Sequence, residues 1–310
     1  RSLAGLLVTA LIGSFAFQVS AISEAVAWTS TDGAVSQLAA AEKIKTLHAN
    51  TIASTADANG NIYAITSFPA GPGHKVDVDP DLNDPKLISG RSAVIHKLDK
   101  DGNLVWVYAL RGMLNSTAAS IAIDRFGNVY AGFAAKHNVT IGTDTQKNGK
   151  KYRNYVVKLG PNGDLKWSKH WGGTQHDQVS DMAIDSLGNV NIVGWVDNPK
   201  ATLGPNNGDA KTGNLQSGDN AFLLQLNPEG DTNFIKDWSS EGHSRARGVA
   251  IQKDGTIITV LDFSNDTIFL GTNAEGVDQE TTHKGKKSVG LLVAVTVEED
   301  KQHIKWFKQF

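Results

Sequence analysis

Three carboxylates at alternate positions have the spacing most suggestive of metal chemistry in this chain. Asp77, Asp79 and Asp81 follow one another in the order in which a calcium-binding loop supplies oxygen ligands to the ion. The sixth position of such a loop is normally glycine and the twelfth is glutamate, but here they are Leu82 and Ile88. These departures favour a solvated acidic loop tip, with calcium bound by the three aspartates as the alternative.

Histidine contributes one adjacent acid–base pair, His176-Asp177, and the other histidines are scattered without the spacing of a catalytic or metal-binding pair. A surface loop pair is the simpler interpretation of His176-Asp177, and a special acid–base site is the alternative. Arg245 and Arg247 form an isolated basic pair, which we interpret as part of a solvated loop.

Several kinds of active site are excluded by the residues that the sequence lacks. The chain has no cysteine, so disulfides, thiolate metal ligands and a cysteine nucleophile are ruled out. It contains no nucleophile elbow, phosphate-binding loop or dinucleotide fingerprint. We therefore predict no catalytic residue and no bound organic cofactor.

Three asparagines, Asn115, Asn138 and Asn265, each begin an Asn-x-Ser/Thr triplet. In a eukaryotic secretory pathway such triplets are glycosylation sites on surface loops. Chance occurrence is the alternative, because the triplet is common in ordinary sequences.

The first 21 residues have the pattern of a secretory signal peptide. Residues 3–17 form an apolar run that is shorter than the roughly 20 residues of a membrane span and suits the core of a signal. Small residues before Ala21 provide a cleavage point, and Ala25–Ala27 offer a second candidate. We expect a secreted, periplasmic or cell-surface protein without a membrane span after signal removal. A buried helix or an uncleaved anchor is the alternative.

Composition describes a folded chain with no general attraction to nucleic acid. Hydrophobic residues make up 40% and charged residues 20% of the 310 positions, so the chain is not wholly disordered. The net charge is −2, which gives no electrostatic pull toward nucleic acid or an anionic membrane.

The chain repeats itself over most of its length. The segment AIDRFGNVY at residues 122–130 matches AIDSLGNVN at residues 183–191, and weaker copies place their glycines at Gly60 and Gly255. A second motif interleaves with the first: KLDKDGNLVW at residues 97–106 matches KLGPNGDLKW at residues 158–167. We take Trp238 and Trp306 as the later copies of the tryptophan that ends this motif.

Each motif has the pattern of a β-hairpin. An alternating apolar strand leads into a turn, Asp124–Gly127 in the first motif and Pro161–Asp164 in the second, and a second strand returns. Two hairpins per period give four short antiparallel strands, which is typical of a propeller blade. We predict an all-β propeller of about four visible blades over residues 51–310, either complete or part of a larger propeller. Residues 22–50 are expected to hold a strand around Trp28 and a helix.

The order of these marks resembles the SBBP β-propeller repeats of secreted and surface proteins. The closest period, residues 155–194, has VVKL, a Gly-x-Leu-x-Trp segment, Gly172-Gly173 and then AIDSLGNV. The resemblance covers residues 52–306, and it implies a repeated four-stranded blade. Neighbouring copies depart from it at the Gly-Gly pair, which becomes Arg111-Gly112 and Glu241-Gly242.

Two classes of function stay open. The first is a non-enzymatic module that binds an extracellular protein or glycan through its long loops, residues 68–90 and 199–218, which are the least repeat-like segments. The second is a propeller enzyme, such as a quinoprotein-like oxidoreductase or a glycan-processing hydrolase or lyase. An enzyme should gather carboxylates at the inner ends of the first strands, so that arrangement separates the two classes.

Overall fold

The computed structural model describes most of the chain from residue 50 onward. The described ranges are residues 50–68, 75–77, 87–89, 92–112, 119–172, 176–197, 201–204, 215, 218–240, 242–264, 266–283, 288–298 and 301–310. The predicted signal peptide and the segment before residue 50 lie outside them, as do Asp79, Asp81, Asn115 and Asn265. The described residues are all-β and contain no helix, and hence no helix with the length and hydropathy of a membrane span.

Twenty strands make up the described fold, and they alternate with short turns as the hairpin motifs predict. In chain order they are β1 Asn50–Ala56, β2 Ile62–Phe68, β3 Lys75–Asp77, β4 Leu87–Ser89, β5 Ser92–Leu98, β6 Leu104–Gly112, β7 Ala119–Ile123, β8 Val129–Ile141, β9 Asp144–Leu159, β10 Leu165–Trp171, β11 Gln178–Ile184, β12 Val190–Asp197, β13 Asp219–Leu226, β14 Thr232–Trp238, β15 Ser244–Ile251, β16 Ile257–Phe263, β17 Asp266–Thr272, β18 Asp278–His283, β19 Val289–Glu298 and β20 Lys301–Gln309.

The strands form four antiparallel units of four. Sheet 1 has the order β1-β2-β5-β6, sheet 2 the order β7-β8-β9-β10, sheet 3 the order β11-β12-β13-β14 and sheet 4 the order β15-β16-β19-β20. A short pairing of β6 with β8, at Arg111 and Thr140, joins sheets 1 and 2 into one eight-stranded sheet. The hairpins β3–β4 and β17–β18 are separate two-stranded sheets, so the described residues form five sheets. The predicted four-stranded periods are confirmed.

The repeated turn is held by its aspartate, as the turn at Asp124 illustrates. The Asp124 carboxylate accepts hydrogen bonds from the backbone N–H groups of Phe126 and Asn128 at 2.9 Å and from the Asn128 side-chain amide at 2.7 Å. Gly127 closes the turn with a φ of 80°, a left-handed conformation that glycine adopts without steric cost. The same local chemistry holds the turns that begin with Asp57, Asp99 and Asp185.

The four sheets stack face to face in sequence order. The first strands β1, β7, β11 and β15 pack successively against one another. Separate hydrophobic clusters fill the space between sheets 1 and 2, between sheets 2 and 3, and between sheets 3 and 4. Within the described residues, no strand pairing joins sheet 1 to sheet 4. The observed arrangement is a row of stacked sheets whose apolar faces cover each other.

A tryptophan on the fourth strand of a sheet binds the hairpin turn of the next sheet. The indole N–H of Trp106 donates to the carbonyl of Pro161 at 2.9 Å, and that of Trp167 donates to the carbonyl of Pro228 at 3.0 Å. We call this repeated contact the tryptophan clasp. These two tryptophans, both partly buried, therefore pack between neighbouring sheets.

The alignment of Trp238 with these two residues is wrong. In the strand register Trp106 pairs with Lys97 and Trp167 pairs with Lys158, and the residue in the same place in sheet 3 is Phe234, opposite Gln225. Trp238 lies four residues further on, in the position that Trp171 has in sheet 2. It is fully buried nonetheless, because it packs against sheet 4.

We expect Gly163→Ala to destabilise the fold more than Gly255→Ala does. The two glycines have nearly equal φ values, 81° and 84°, so each alanine incurs the same left-handed cost of about 1–2 kcal/mol. A methyl group at Gly163 would lie 2.8 Å from the Trp106 ring, whereas nothing lies within 4 Å of one at Gly255. Urea denaturation of both variants measures the difference, and equal losses would show that the tryptophan clasp does not hold sheets 1 and 2 together.

Candidate functional site

All four sheets point the same way, which fixes where their loops emerge. Ser120, Asp181 and Val249 are hydrogen-bonded neighbours on three successive first strands, so these strands lie side by side in equivalent register. The tryptophan clasps join equivalent turns at one end of the sheets, which we call the turn-bearing end. At the opposite end, the loop-bearing end, each second strand leads into the third strand. The two long loops start there, after Phe68 and after Asp197.

A cluster of arginine, tryptophan and aspartate lies at the loop-bearing end, between sheets 3 and 4. The guanidinium carbons of Arg245 and Arg247 lie 5.3 and 4.9 Å from the centre of the Trp195 ring, which is 8% exposed. Arg245 forms an ion pair with the buried carboxylate of Asp219, and Arg247 forms one with Asp262. The interpretation of the two arginines as a solvated loop is wrong, because both lie on strand β15.

The arginines of this cluster are fixed in place while part of each side chain stays accessible. About a third of each side chain is exposed, 37% for Arg245 and 32% for Arg247. Since a guanidinium group has five N–H donors and each arginine shares only some of them with its aspartate, donors remain to face solvent. The cluster can therefore present hydrogen-bond donors next to the second long loop.

His176 and Asp177, the adjacent acid–base pair of the sequence, have different surroundings. The Asp177 side chain is 3% exposed, and its carboxylate accepts a hydrogen bond from the backbone N–H of Asp197 at 3.2 Å. It occupies the space beside Gly172, where a methyl group would lie 2.1 Å from an Asp177 oxygen. The exposed His176 ring lies 5.3 Å from the ring of Tyr152. This geometry gives Asp177 a role in anchoring the start of β11.

Among the four first strands, Asp181 of β11 is the one carboxylate. Its oxygens accept hydrogen bonds from the Ser120 hydroxyl at 3.1 Å and from the backbone N–H groups of Met182 at 2.8 Å and Val249 at 3.0 Å. Burial raises the pKa of the Asp181 carboxyl above its ordinary value. Asp181 links three first strands and has no second carboxylate beside it on them, so these strands present no convergent acid–base set.

The structure describes only some of the residues predicted to bind metal or to carry glycans. The backbone of Asp77 lies on the short strand β3, while its predicted partners in calcium binding lie outside the described residues. The described part of the chain has no group of three or more His, Cys, Asp or Glu side chains that could hold a metal ion. Asn138 is exposed on β8 near the β8–β9 turn, where an attached glycan would meet solvent.

Sequence reasoning missed a chain of amide side chains in sheet 3. Asn191 and Gln225 are buried cross-strand partners, and the Gln225 amide donates to the Asn191 oxygen at 2.9 Å. The Asn233 amide donates both to Gln225 at 2.9 Å and to Asn189 at 3.2 Å. These residues line or adjoin a cavity of about 560 Å³ between sheets 3 and 4 at the turn-bearing end.

A signal for this site exists in the repeats. The pair equivalent to Asn191 and Gln225 is Tyr63 with Lys97 in sheet 1 and Tyr130 with Lys158 in sheet 2. In both of those sheets the lysine ammonium group lies over the tyrosine ring. Sheet 3 therefore has two amide side chains where sheets 1 and 2 have a tyrosine and a lysine, and aligning the repeats reveals this difference.

The comparisons with known proteins give no match. No family model matches the chain, and a search of curated proteins finds none with significant similarity.

Proposed function

We propose that this chain is a secreted or cell-surface β-propeller of SBBP-type repeats that binds an extracellular protein or glycan through its loop-bearing end. The observation that carries the proposal is that both long, repeat-poor loops leave the same end of a row of packed sheets. Loops held by a rigid scaffold are where binding residues most often lie. No described residue set favours an enzyme in the same way.

The stacking of the sheets supports their assignment as propeller blades. Each has four antiparallel strands in sequence order, its first strand packs on the first strand of the neighbouring sheet, and the tryptophan clasp recurs. One face of sheet 4 is open: Ile258 and Val260 on β16 are half-buried, while the residues between and beside them are buried. Trp306, in the clasp position of this sheet, is 41% exposed. This open face supports a propeller larger than four blades.

The arginine–tryptophan cluster supports binding at the loop-bearing end. Arg245 and Arg247 are held by ion pairs and by stacking on Trp195, so little side-chain entropy is lost when they bind a partner. Guanidinium groups recognise carboxylates of acidic peptides or acidic sugars through paired hydrogen bonds. The cluster lies beside the start of the second long loop, where one ligand could contact both.

We expect replacement of either long loop to abolish binding while the fold is preserved. One variant replaces residues 69–91, which include the separate hairpin β3–β4, with a short Gly-Ser linker. The other replaces residues 205–214, so that the four stacked sheets and the buried Ala201, Leu203 and Leu215 stay untouched. The wild-type chain and the two variants are applied to arrays of extracellular proteins and oligosaccharides. The expected result is retention of the wild type on a defined set of spots and loss of that retention in both variants.

A matched control changes the opposite end of the molecule. Leu187→Ser alters a 77% exposed side chain at the turn-bearing end and should leave retention unchanged. Circular dichroism confirms that all variants keep the β-sheet fold. Retention by both loop variants would contradict the proposal. Turnover of a glycoside, ester or alcohol by the purified chain, lost in His176→Ala, would favour the enzyme class instead.

A further inference from the structure

The crevice between sheets 3 and 4 is open at the turn-bearing end because the tryptophan clasp is missing there. Phe234 occupies the position that a tryptophan has in sheets 1 and 2. Phenylalanine lacks the indole N–H group that donates to the hairpin turn of the next sheet. The sequence that joins β19 to β20 also lacks the glycine of the other hairpin turns. The resulting cavity measures about 560 Å³, which is within the usual range of roughly 300–1,000 Å³ for small-molecule sites.

The Asp185 carboxylate determines which way the Asn189 and Asn233 side-chain amides in the cavity wall orient their NH₂ groups and oxygens. The Asp185 carboxylate can only accept, so the Asn189 side-chain amide donates to it at 2.8 Å and turns its own oxygen toward Asn233. Asn233 must then present its NH₂ group, and its two hydrogens go to Asn189 and to Gln225. Both hydrogens of the Asn233 amide are thus used inside the wall.

Two acceptor groups in the wall are left for a ligand. The side-chain oxygen of Asn233 has no hydrogen bond within the described part of the chain, and the exposed Glu298 carboxylate lines the cavity without an ion pair there. Asp254 is paired with Lys305 at 2.9 Å, and within the described part of the chain Asp185 forms no ion pair. The described lining of the cavity thus has an excess of negative charge.

Apolar side chains form the rest of the lining. Leu187, Phe234, Ile257 and Val297 lie among the polar groups, and Leu187 is 77% exposed. A ligand that complements both the acidic and amide groups and the apolar side chains has N–H donors, a positive charge and a short hydrocarbon segment. An anion would be repelled by Glu298 and Asp185.

We propose that this cavity binds an alkylammonium group, of the kind that a polyamine carries. The ammonium group donates to the Asn233 oxygen and the Glu298 carboxylate, and its methylene groups contact Phe234 and Val297. A second depression of about 400 Å³ continues past the Asp254–Lys305 pair and is lined by Glu275. This continuation favours a chain with several ammonium groups over a monoamine.

Calorimetric titration of the full chain with spermidine, putrescine and butylamine tests the site, with 1,4-butanediol as the uncharged analogue of putrescine. We expect saturable binding that is tightest for spermidine, and none for butanediol. Glu298→Gln should weaken spermidine binding at least tenfold, because it removes the negative charge and keeps the shape. Asn233→Leu should weaken it as well, because it removes the acceptor.

The matched control is Glu280→Gln, which removes an equal charge from an exposed position on the hairpin strand β18 and should leave spermidine binding unchanged. Equal weakening in Glu280→Gln, or loss of all binding in moderate salt without any effect of Glu298→Gln, would show general charge attraction and overturn the proposal. Binding of butanediol as tight as that of putrescine would overturn the assignment of the ligand class. The loop variants described above should bind spermidine normally, so the two proposals fail independently.

Discussion

Replacing Trp238 with alanine is expected to lower the free energy of unfolding by about 3–5 kcal/mol, the usual cost of removing a fully buried large aromatic side chain. The Trp238 ring is 0% exposed and belongs to the cluster between sheets 3 and 4. Its indole N–H donates to the carbonyl of Leu270 at 3.1 Å, which ties sheet 3 to the inserted hairpin β17–β18. Urea denaturation followed by far-ultraviolet circular dichroism gives the change.

Trp306→Ala is the control for this prediction, since it removes the same side chain from a 41% exposed position. The loss of unfolding free energy in Trp306→Ala should be well below that in Trp238→Ala, because the Trp306 side chain buries less apolar surface in the folded protein. Similar losses for the two variants would contradict the assignment of Trp238 to a packed interface and of Trp306 to an open face.

The protein is expected to lose about 3 kcal/mol of stability as the pH falls from 6.5 to 4 through one residue, His96. Burial lowers the pKa of His96 to about 4, from an ordinary value of 6.5, because an imidazolium cation is poorly solvated among apolar neighbours. The unfolded chain therefore takes up a proton before the folded chain does, and protonation stabilises the unfolded state across this interval. Above pH 6.5 both forms are neutral and the effect vanishes.

The variant His96→Leu tests the origin of that loss. Leucine suits the site because His96 is 3% exposed and its Nδ1 atom has no hydrogen-bond partner. The variant should show a flatter dependence of unfolding free energy on pH between 6.5 and 4 than the wild type. An unchanged slope would mean that other groups cause the acid sensitivity.

Much of the fold follows from the sequence because the turns are encoded locally. Asp124 and Gly127 sit within one four-residue turn, and their roles depend on neighbouring backbone groups. The strand register is less local, and this explains the misplacement of Trp238. The interval from Trp167 to Trp238 is four residues longer than the glycine interval of the same repeat, and that excess matches the step from Trp167 to Trp171.

The candidate sites were harder to predict because their members come from distant parts of the chain. Asn191, Gln225 and Asn233 lie on three different strands and meet only through their register. Arg245 looks like a solvated side chain in the sequence, since nothing near it in the chain indicates that Asp219 and Trp195 will adjoin it across a sheet interface. Spatial neighbours of this kind depend on the stacking of the sheets, which local patterns do not encode.

Hydrogen–deuterium exchange of the chain, free and bound to an array protein or oligosaccharide that retains the wild type, tests most directly whether the loop-bearing end is the binding surface. The account predicts slower exchange in residues 69–91, in residues 198–218 and around Arg245, with no change in the turns at Gly60, Gly127 and Gly188. Protection confined to those turns, with exchange in both long loops unaltered, would contradict it.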